Sequence, residues 1–274
     1  MTHSIDQGVL QVTPTTRFLE ALGVAAGRRR VLKVALIIAA CELMMVGSPL
    51  VLGLIEWRYA LDPVWISALS WVAWTFWHSY LFPIRRERHL RESEHPYRSA
   101  FYTDIFPGVC FGFAQMWRPL FNGDNFQHWA SEPQPAFGSA QLAIGTVVCV
   151  SSVVFIIQAM RVVGIHNAAF VPEFIDHQEF EPIRSGIYGV IRHPLFWGGV
   201  GYSVGLALVA ATRSAYVIAT INVSYGVLYN WLEDRRLRSV FGTRYSAYSD
   251  QVPAILPLAR LYQRLSSRIR GRAS

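Results

Sequence analysis

Charge is what this chain has least of. Of its 274 residues only 16% are Asp, Glu, Lys or Arg, against 52% hydrophobic and 14% aromatic, a balance far more apolar than that of a water-soluble domain. Residues 63–84 and 139–160 each run 22 positions without a single charge. A helix of that length crosses a hydrocarbon core of roughly 30 Å. The composition therefore excludes an ordinary soluble globule and points to a chain built for the bilayer.

Cysteine is scarce as well. Cys41, Cys110 and Cys149 all fall in apolar stretches with no paired spacing, which supports neither a disulfide framework nor a cysteine zinc site and leaves packing as their expected role. Internal repeats, low-complexity tracts and long linkers are also missing, so the expected organisation is one integral-membrane domain over 1–274. The first 30 residues are polar and end in Arg28-Arg29-Arg30, without the apolar core and small-residue cleavage site of a secretory signal, so the first span is expected to be retained. At the other end "LARLYQRLSSRIRGRAS" reads as a basic amphipathic surface helix.

What is present completes an all-α, polytopic transmembrane bundle. Residues 34–55 carry one acid, Glu42, and residues 99–121 carry Asp104 and Arg118, which makes both spans with polar insertions. Residues 195–212 and 214–232 are uncharged and separated by Arg213, the pattern of a tight helical hairpin, for about six segments in all. The net charge of +7 does not indicate nucleic acid, because the basic residues alternate by loop. Five lie in 1–33, five between Arg85 and Arg98, three from Arg161 to Arg192 and nine from Arg235 onward, while Arg58, Arg118 and Arg213 stand alone between them. The positive-inside rule then puts both termini, the 85–98 loop and the 161–194 loop in the cytoplasm.

One stretch stands out, "RSGIYGVIRHPLFWGGVG" at 184–201. Pro194 cannot continue a preceding helix but suits the first turn of a new one, so Arg192 and His193 are expected at the mouth of the segment that follows. That segment and its partner each cover about 27 Å, so the hairpin returns Glu233 and Asp234 to the same mouth. Cations and acids some 40 positions apart become neighbours there, either as a site for a zwitterion or as a pair that merely marks the membrane interface.

These residues resemble the integral-membrane methyltransferases typified by isoprenylcysteine carboxyl methyltransferase, with relatives acting on phospholipid amines and small thiols. The resembling stretches are "SGIYGVIRHPLFWGG" and, after the hairpin, "LEDRRLRSVFGTRYSAYSDQVPAILP", within residues 173–257. The combination of a Gly-x-Tyr turn, Arg-His-Pro, an acid pair, Phe-Gly-x-x-Tyr-x-x-Tyr and a closing Val-Pro carries the likeness. It implies a pocket for S-adenosyl-L-methionine. The lead-in Phe180, Glu181, Pro182 and Ile183 would line the cofactor, with Tyr188 against it, His193, Pro194, Leu195 and Phe196 wrapped around it, and Glu233 holding its polar end. An ammonium, a carboxylate and a sulfonium call for an acid, donors and aromatic faces, which Glu233, Arg192 with His193, and Tyr188 supply. Arg192 is the candidate catalytic residue, orienting or electrostatically supporting the reacting group.

Departures from the family pattern bear on the acceptor. Phe196 stands where a tyrosine is usual, and Asp234 where the second acid is usually glutamate. Tyr229 stands where the prenylcysteine enzymes carry an arginine, which argues against a prenylcysteine carboxylate and for a small or lipophilic acceptor. The N-terminal half is similar to bacterial methyltransferases of methanethiol through "WHS" at 77–79 and "MWRPLF" at 116–121. His78 and Tyr229 are the substrate-facing candidates, His78 as a contact, a base or a structural hydrogen-bonder. Glu42 and Asp104 would satisfy each other or Arg118, or touch substrate. Methyl transfer from a sulfonium needs alignment, exclusion of water and an unprotonated nucleophile, and no metal. The rival expectations are a sterol-type reductase using a nicotinamide cofactor and a non-catalytic membrane partner with a vestigial pocket.

Overall fold

The computed structural model describes residues 14–24, 28–131, 139–175 and 181–254. Those residues form helices and their connections, with no strand among them. The C-terminal tail expected as a surface helix, and Phe180 of the lead-in, lie outside the described residues.

Helices start and stop where local chemistry requires. After α1 (Pro14–Ala21), α2 (Arg28–Glu42) runs through a π-helical turn, Leu43–Gly47, into α3 (Ser48–Tyr59), which ends on Ala60 in the left-handed conformation. Helix α4 (Pro63–Phe76) is capped by Asp62, whose Oδ1 accepts from the amides of Val64 at 2.8 Å and Trp65 at 3.3 Å, and Pro63 fills its first turn. It continues through the π-helical turn Trp77–Leu81 into α5 (Phe82–Glu92). The next segment is broken into α6 (Pro96–Ala100), a third π-helical turn at Phe101–Ile105, α7 (Phe106–Ala114) and a short 3-10 turn. Helix α8 (Gly123–Ser131) is short, and α9 (Ser139–Ala168) is long, bent where Gly164 leaves helical geometry at φ 68°.

The hairpin is α10 (Pro194–Ala210) and α11 (Arg213–Phe241). Pro194 occupies the first turn of α10, and Ala211, left-handed, closes it. Thr212 then caps α11 by accepting from the Ala215 amide at 3.3 Å. Helix α11 outruns the uncharged stretch 214–232 by more than two turns before Gly242, at φ 58° and ψ −133°, turns the chain into α12 (Thr243–Gln251). Helices α9 and α10 pack intimately because a glycine lets their backbones approach. A Cβ on Gly205 would stand 2.6 Å from the Cys149 Sγ and 2.9 Å from its amide nitrogen.

Two helices are long and apolar enough to cross a membrane, Arg30–Tyr59 and Ala140–Glu173. Their apolar windows are only 6% and 11% buried inside the chain, leaving side chains such as Val31, Leu36 and Val147 mostly exposed. Six segments were expected. The other four are helical but less qualified: Pro194–Ala210 is apolar and shorter, 99–121 is interrupted, and tryptophan, histidine and asparagine dilute the hydropathy of 63–84 and 214–232.

Polar inclusions hold one end of the bundle together. Arg118 does not pair with Glu42 or Asp104. Its guanidinium meets Glu56, which is fully buried, and donates to the Phe121 carbonyl at 2.7 Å, while the Gly123 amide donates to the other Glu56 oxygen at 3.0 Å. Asn125 and Asn122 extend this network to Thr212 and Ser214 at the hairpin tip. Sequence reading overlooked Glu56 because it lies just outside the 34–55 stretch, as the next residue after its end. Glu42 is exposed, and Asp104 is held instead by Arg85 and His89. Cys41 and Cys110, without paired spacing in sequence, touch at 3.5 Å between sulfurs as free thiols.

Candidate active site

At the end opposite the Glu56–Arg118 network lies a cavity of about 240 Å³. Its walls come from α4, α5, α7, α9, the 182–193 segment, the first turn of α10, the C-terminal half of α11 and α12. Of the residues expected at a site, His78, Pro182, Ile183, Tyr188, Arg192, His193, Leu195, Phe196, Tyr229 and Glu233 all line it. Two do not. Pro194 is buried in the first turn of α10 without facing the cavity, and Glu181 is exposed, 3.8 Å from Arg244. The lead-in at 181–184 is irregular chain, and Tyr188 sits in the 3-10 turn Gly186–Gly189.

The Arg-His-Pro turn is held by the second acid. His193 is the N-terminal cap of α10 and adopts a left-handed conformation, φ 57° and ψ 43°, that costs a non-glycine residue about 1–2 kcal/mol. Its Nε2 lies 2.8 Å from Asp234 Oδ1, and Arg192 Nη1 lies 2.9 Å from Asp234 Oδ2. Tyr245 donates to the same carboxylate. The Arg192 approach is oblique, and its Nε has no partner although Arg192 is buried. The closing Val-Pro folds back here, with the Arg192 amide donating to the Pro253 carbonyl at 2.9 Å and Trp197 Nε1 to Ala254 at 2.8 Å. Burial pushes the Asp234 carboxyl up, but His193, Tyr245 and Arg192 more than offset this and hold it below the usual carboxylate range. Burial pushes the Tyr248 hydroxyl up to about 12, and that hydroxyl donates to the Tyr188 carbonyl at 2.8 Å.

Glu233 faces the other way, into a buried ionic chain. Arg236, three residues on, donates to it through Nη2 at 2.6 Å and Nε at 3.3 Å, and also pairs with Glu173. Arg86 closes the chain from α5 by donating to the Glu173 carbonyl at 3.0 Å. The Arg236 guanidinium lies over the Phe170 ring, 4.9 Å from its centre. His78 Nε2 approaches the second Glu233 oxygen at 2.9 Å, off the ideal hydrogen-bond line. Glu233 is thus not a free acid waiting for a ligand. Glu173, Tyr245 and Tyr248 line the cavity, and Arg236 and Asp234 shape it; Asp234 was expected at this mouth beside Glu233, while Glu173, Arg236, Tyr245 and Tyr248 were not named as site residues. Arg236 was findable, since positions three apart share a helix face, whereas Glu173 reaches the site only through tertiary folding.

The cavity has two characters. Toward the helix ends it is ionic, around Arg192, His193, Glu233 and Glu173; toward the middle of the bundle it is aromatic and aliphatic, with Trp71, Trp74, Phe113 and Met116. Trp71 is anchored by Asn222, which accepts from its Nε1 at 2.7 Å and donates to Ser203 and the Gln115 carbonyl. Tyr229 bridges the two halves, its ring 4.7 Å from Trp74 and 4.8 Å from Phe196.

The described residues thus combine two helices long and apolar enough to cross a membrane with a cavity that is ionic toward the helix ends. Residues 140–244 match the family model described as phospholipid methyltransferase, a likeness that takes in α9, the 182–193 segment, α10 and α11. No curated protein and no solved structure matches the chain significantly.

Proposed function

We propose that this protein is an S-adenosyl-L-methionine-dependent methyltransferase of the membrane, acting on a small or lipophilic acceptor. The observation that carries the reading is the convergence in one cavity of Arg192 and His193 with Glu233, inside the family-matched segment. When bound, the cofactor supplies a methyl group on a sulfonium, together with an ammonium and a carboxylate. The residues present fit it. Arg192 keeps a buried Nε without a partner, a donor for a carboxylate. Glu233 and Glu173 offer acid oxygens, although they share them with Arg236. Tyr188, Tyr229 and Phe196 offer faces for a cation. Pro182, Ile183 and Leu195 wall the cavity and exclude water.

The aromatic half takes the acceptor. It offers no cation comparable to an arginine at 229, which favours a neutral lipophilic group over a prenylcysteine carboxylate. The alternation of basic loops supports a cytoplasmic side for the cavity and both termini. Calorimetric titration of the purified protein with S-adenosyl-L-methionine tests the reading. Saturable binding is expected, with Glu233→Gln and His193→Ala each weakening it roughly ten- to a hundredfold, since a hydrogen bond involving a charged group is worth about 1.5–3 kcal/mol. Absence of binding to the wild-type protein, or unchanged affinity in both folded variants, overturns it.

A further inference from the structure

We propose that His78 is the general base of the reaction, oriented by Glu233, and that the acceptor is therefore a lipophilic protic nucleophile, typified by a thiol. The proposal rests on the methyltransferase reading and specifies the chemistry of its acceptor half.

His78 sits in the π-helical turn Trp77–Leu81, where the widened helix turns the imidazole into the cavity between its ionic and aromatic halves. It is 3% exposed. The ring is gripped on two sides: it stacks on Trp74 at 5.2 Å and 19°, and meets the Tyr229 ring edge-on at 5.0 Å. Its Nε2 lies 2.9 Å from the Glu233 carboxylate without hydrogen-bond alignment, and Nδ1, on the other side of the ring, has no partner at all. A histidine kept only for packing satisfies its buried nitrogens. This one faces a carboxylate with Nε2 at ion-pair distance, off the hydrogen-bond line, and leaves Nδ1 bare in a cavity wall.

The carboxylate sets the tautomer. With the proton on Nε2, toward Glu233, Nδ1 carries the free lone pair, and the cation formed when Nδ1 takes a proton is stabilised by the same carboxylate. The charges around the pair are Glu233, then Arg236 and Glu173 behind it, with His193 acting on Glu233 from the α10 turn. A tertiary amine or an already ionised carboxylate has no proton to give, and would make this base superfluous. A thiol needs it. As the acceptor's S–H proton passes to Nδ1, its sulfur forms a bond to the methyl carbon. The methyl–sulfonium bond breaks at the same time, and its electron pair stays on the cofactor's sulfur as a neutral thioether. Trp71, Trp74, Phe113 and Met116 give the acceptor's hydrocarbon part its place.

Full-length protein in detergent, with labelled S-adenosyl-L-methionine, is assayed against three probes: 1-octanethiol, 4-nitrothiophenol, which is already a thiolate at neutral pH, and N,N-dimethyloctylamine. Wild type is expected to methylate both thiols and not the tertiary amine. His78→Gln is expected to lose about a hundredfold or more in kcat/KM with octanethiol and less than about tenfold with the nitrothiophenol, at unchanged cofactor affinity. Independently of turnover, ring-nitrogen NMR of the ligand-free wild-type protein should show His78 protonated at Nε2 and bare at Nδ1, a result that stands even if the variant does not fold. The proposal is overturned by equal losses on both thiols, by preference for the amine, by cofactor binding without methylation of either thiol, or by a proton resident on Nδ1. A wild-type protein that binds no cofactor overturns the methyltransferase reading itself, and this with it.

Discussion

His193 and Asp234 stand 41 positions apart in sequence and 2.8 Å apart in space, Nε2 to Oδ1. The hairpin makes this contact possible, since α11, after the Ala211–Thr212 turn, climbs back past the full length of α10 and so returns the chain to the level from which it left. The contact in turn explains the turn's geometry. A histidine is held left-handed at the head of α10, and Asp234 binds it together with Arg192 and Tyr245. Asp234 is thus a positioning residue: it fixes the two side chains that face the cavity.

Asp234→Asn should loosen that turn. Because the folded-state pKa of Asp234 is depressed, its stabilising contribution is fully present above the unfolded value of about 3.9 and is lost as pH falls below it. Thermal unfolding in detergent from pH 7 to pH 3 is the measurement. Wild type should lose melting temperature below about pH 4 more steeply than Asp234→Asn, and the variant should already melt lower at pH 7. Parallel profiles would mean that the carboxylate does not hold the turn.

Much of this site was legible because it is written in local rules. Proline at the start of α10, threonine capping α11 and uncharged runs of matched length are enough to bring residues 192–193 to the level of 233–234. The pairing itself was not legible. The arithmetic sets a helix level but not a helical face, and adjacent residues on α11 point about 100° apart. Asp234 therefore faces the α10 turn, while Glu233 faces His78 and Arg236. Glu173 and Glu56 were overlooked for a related reason: each is a single acid whose arginine arrives from a distant element, and no spacing rule links them.

The topology of the basic loops can be tested directly. Ser131 lies at the end of α8, beside the Glu56–Arg118 end of the bundle, and Ser93 follows α5, on the side of Arg86 and the cavity. Single cysteines at these positions, in a background lacking the native three, should label oppositely. Position 131 is expected to react with an impermeant reagent from outside intact cells, and position 93 only after permeabilisation. Outside labelling at 93 would invert the orientation.

Glu56 and Arg118 are a buried pair, so removing one partner should cost more than removing both. Glu56→Gln leaves the guanidinium without its acid and should destabilise by about 3–5 kcal/mol. Glu56→Gln combined with Arg118→Met should recover part of that loss, which denaturant unfolding in mixed micelles can resolve. Additive losses would show that the two side chains do not depend on each other.

The last prediction separates the two halves of the cavity. Gly112 lines the aromatic half from α7, and a Cβ there would lie 2.8 Å from Trp74 Nε1 and Cε2. That indole has little freedom to move, because its Nε1 donates to the Gly108 carbonyl at 2.8 Å and its face stacks on His78. Gly112→Ala must therefore either push Trp74 toward the cavity or break its anchor, and both change the acceptor's space while leaving Arg192, His193 and Asp234 untouched. With the proposed division of the cavity, the variant should bind S-adenosyl-L-methionine within about twofold of wild type while kcat/KM for a bulky lipophilic acceptor falls by about tenfold or more, which corresponds to about 1.4 kcal/mol of lost transition-state binding. A shorter acceptor should lose less. If cofactor affinity fell in step with activity and acceptor length made no difference, the aromatic half would belong to the cofactor, and the assignment of Trp71, Trp74, Phe113 and Met116 to the acceptor would be wrong.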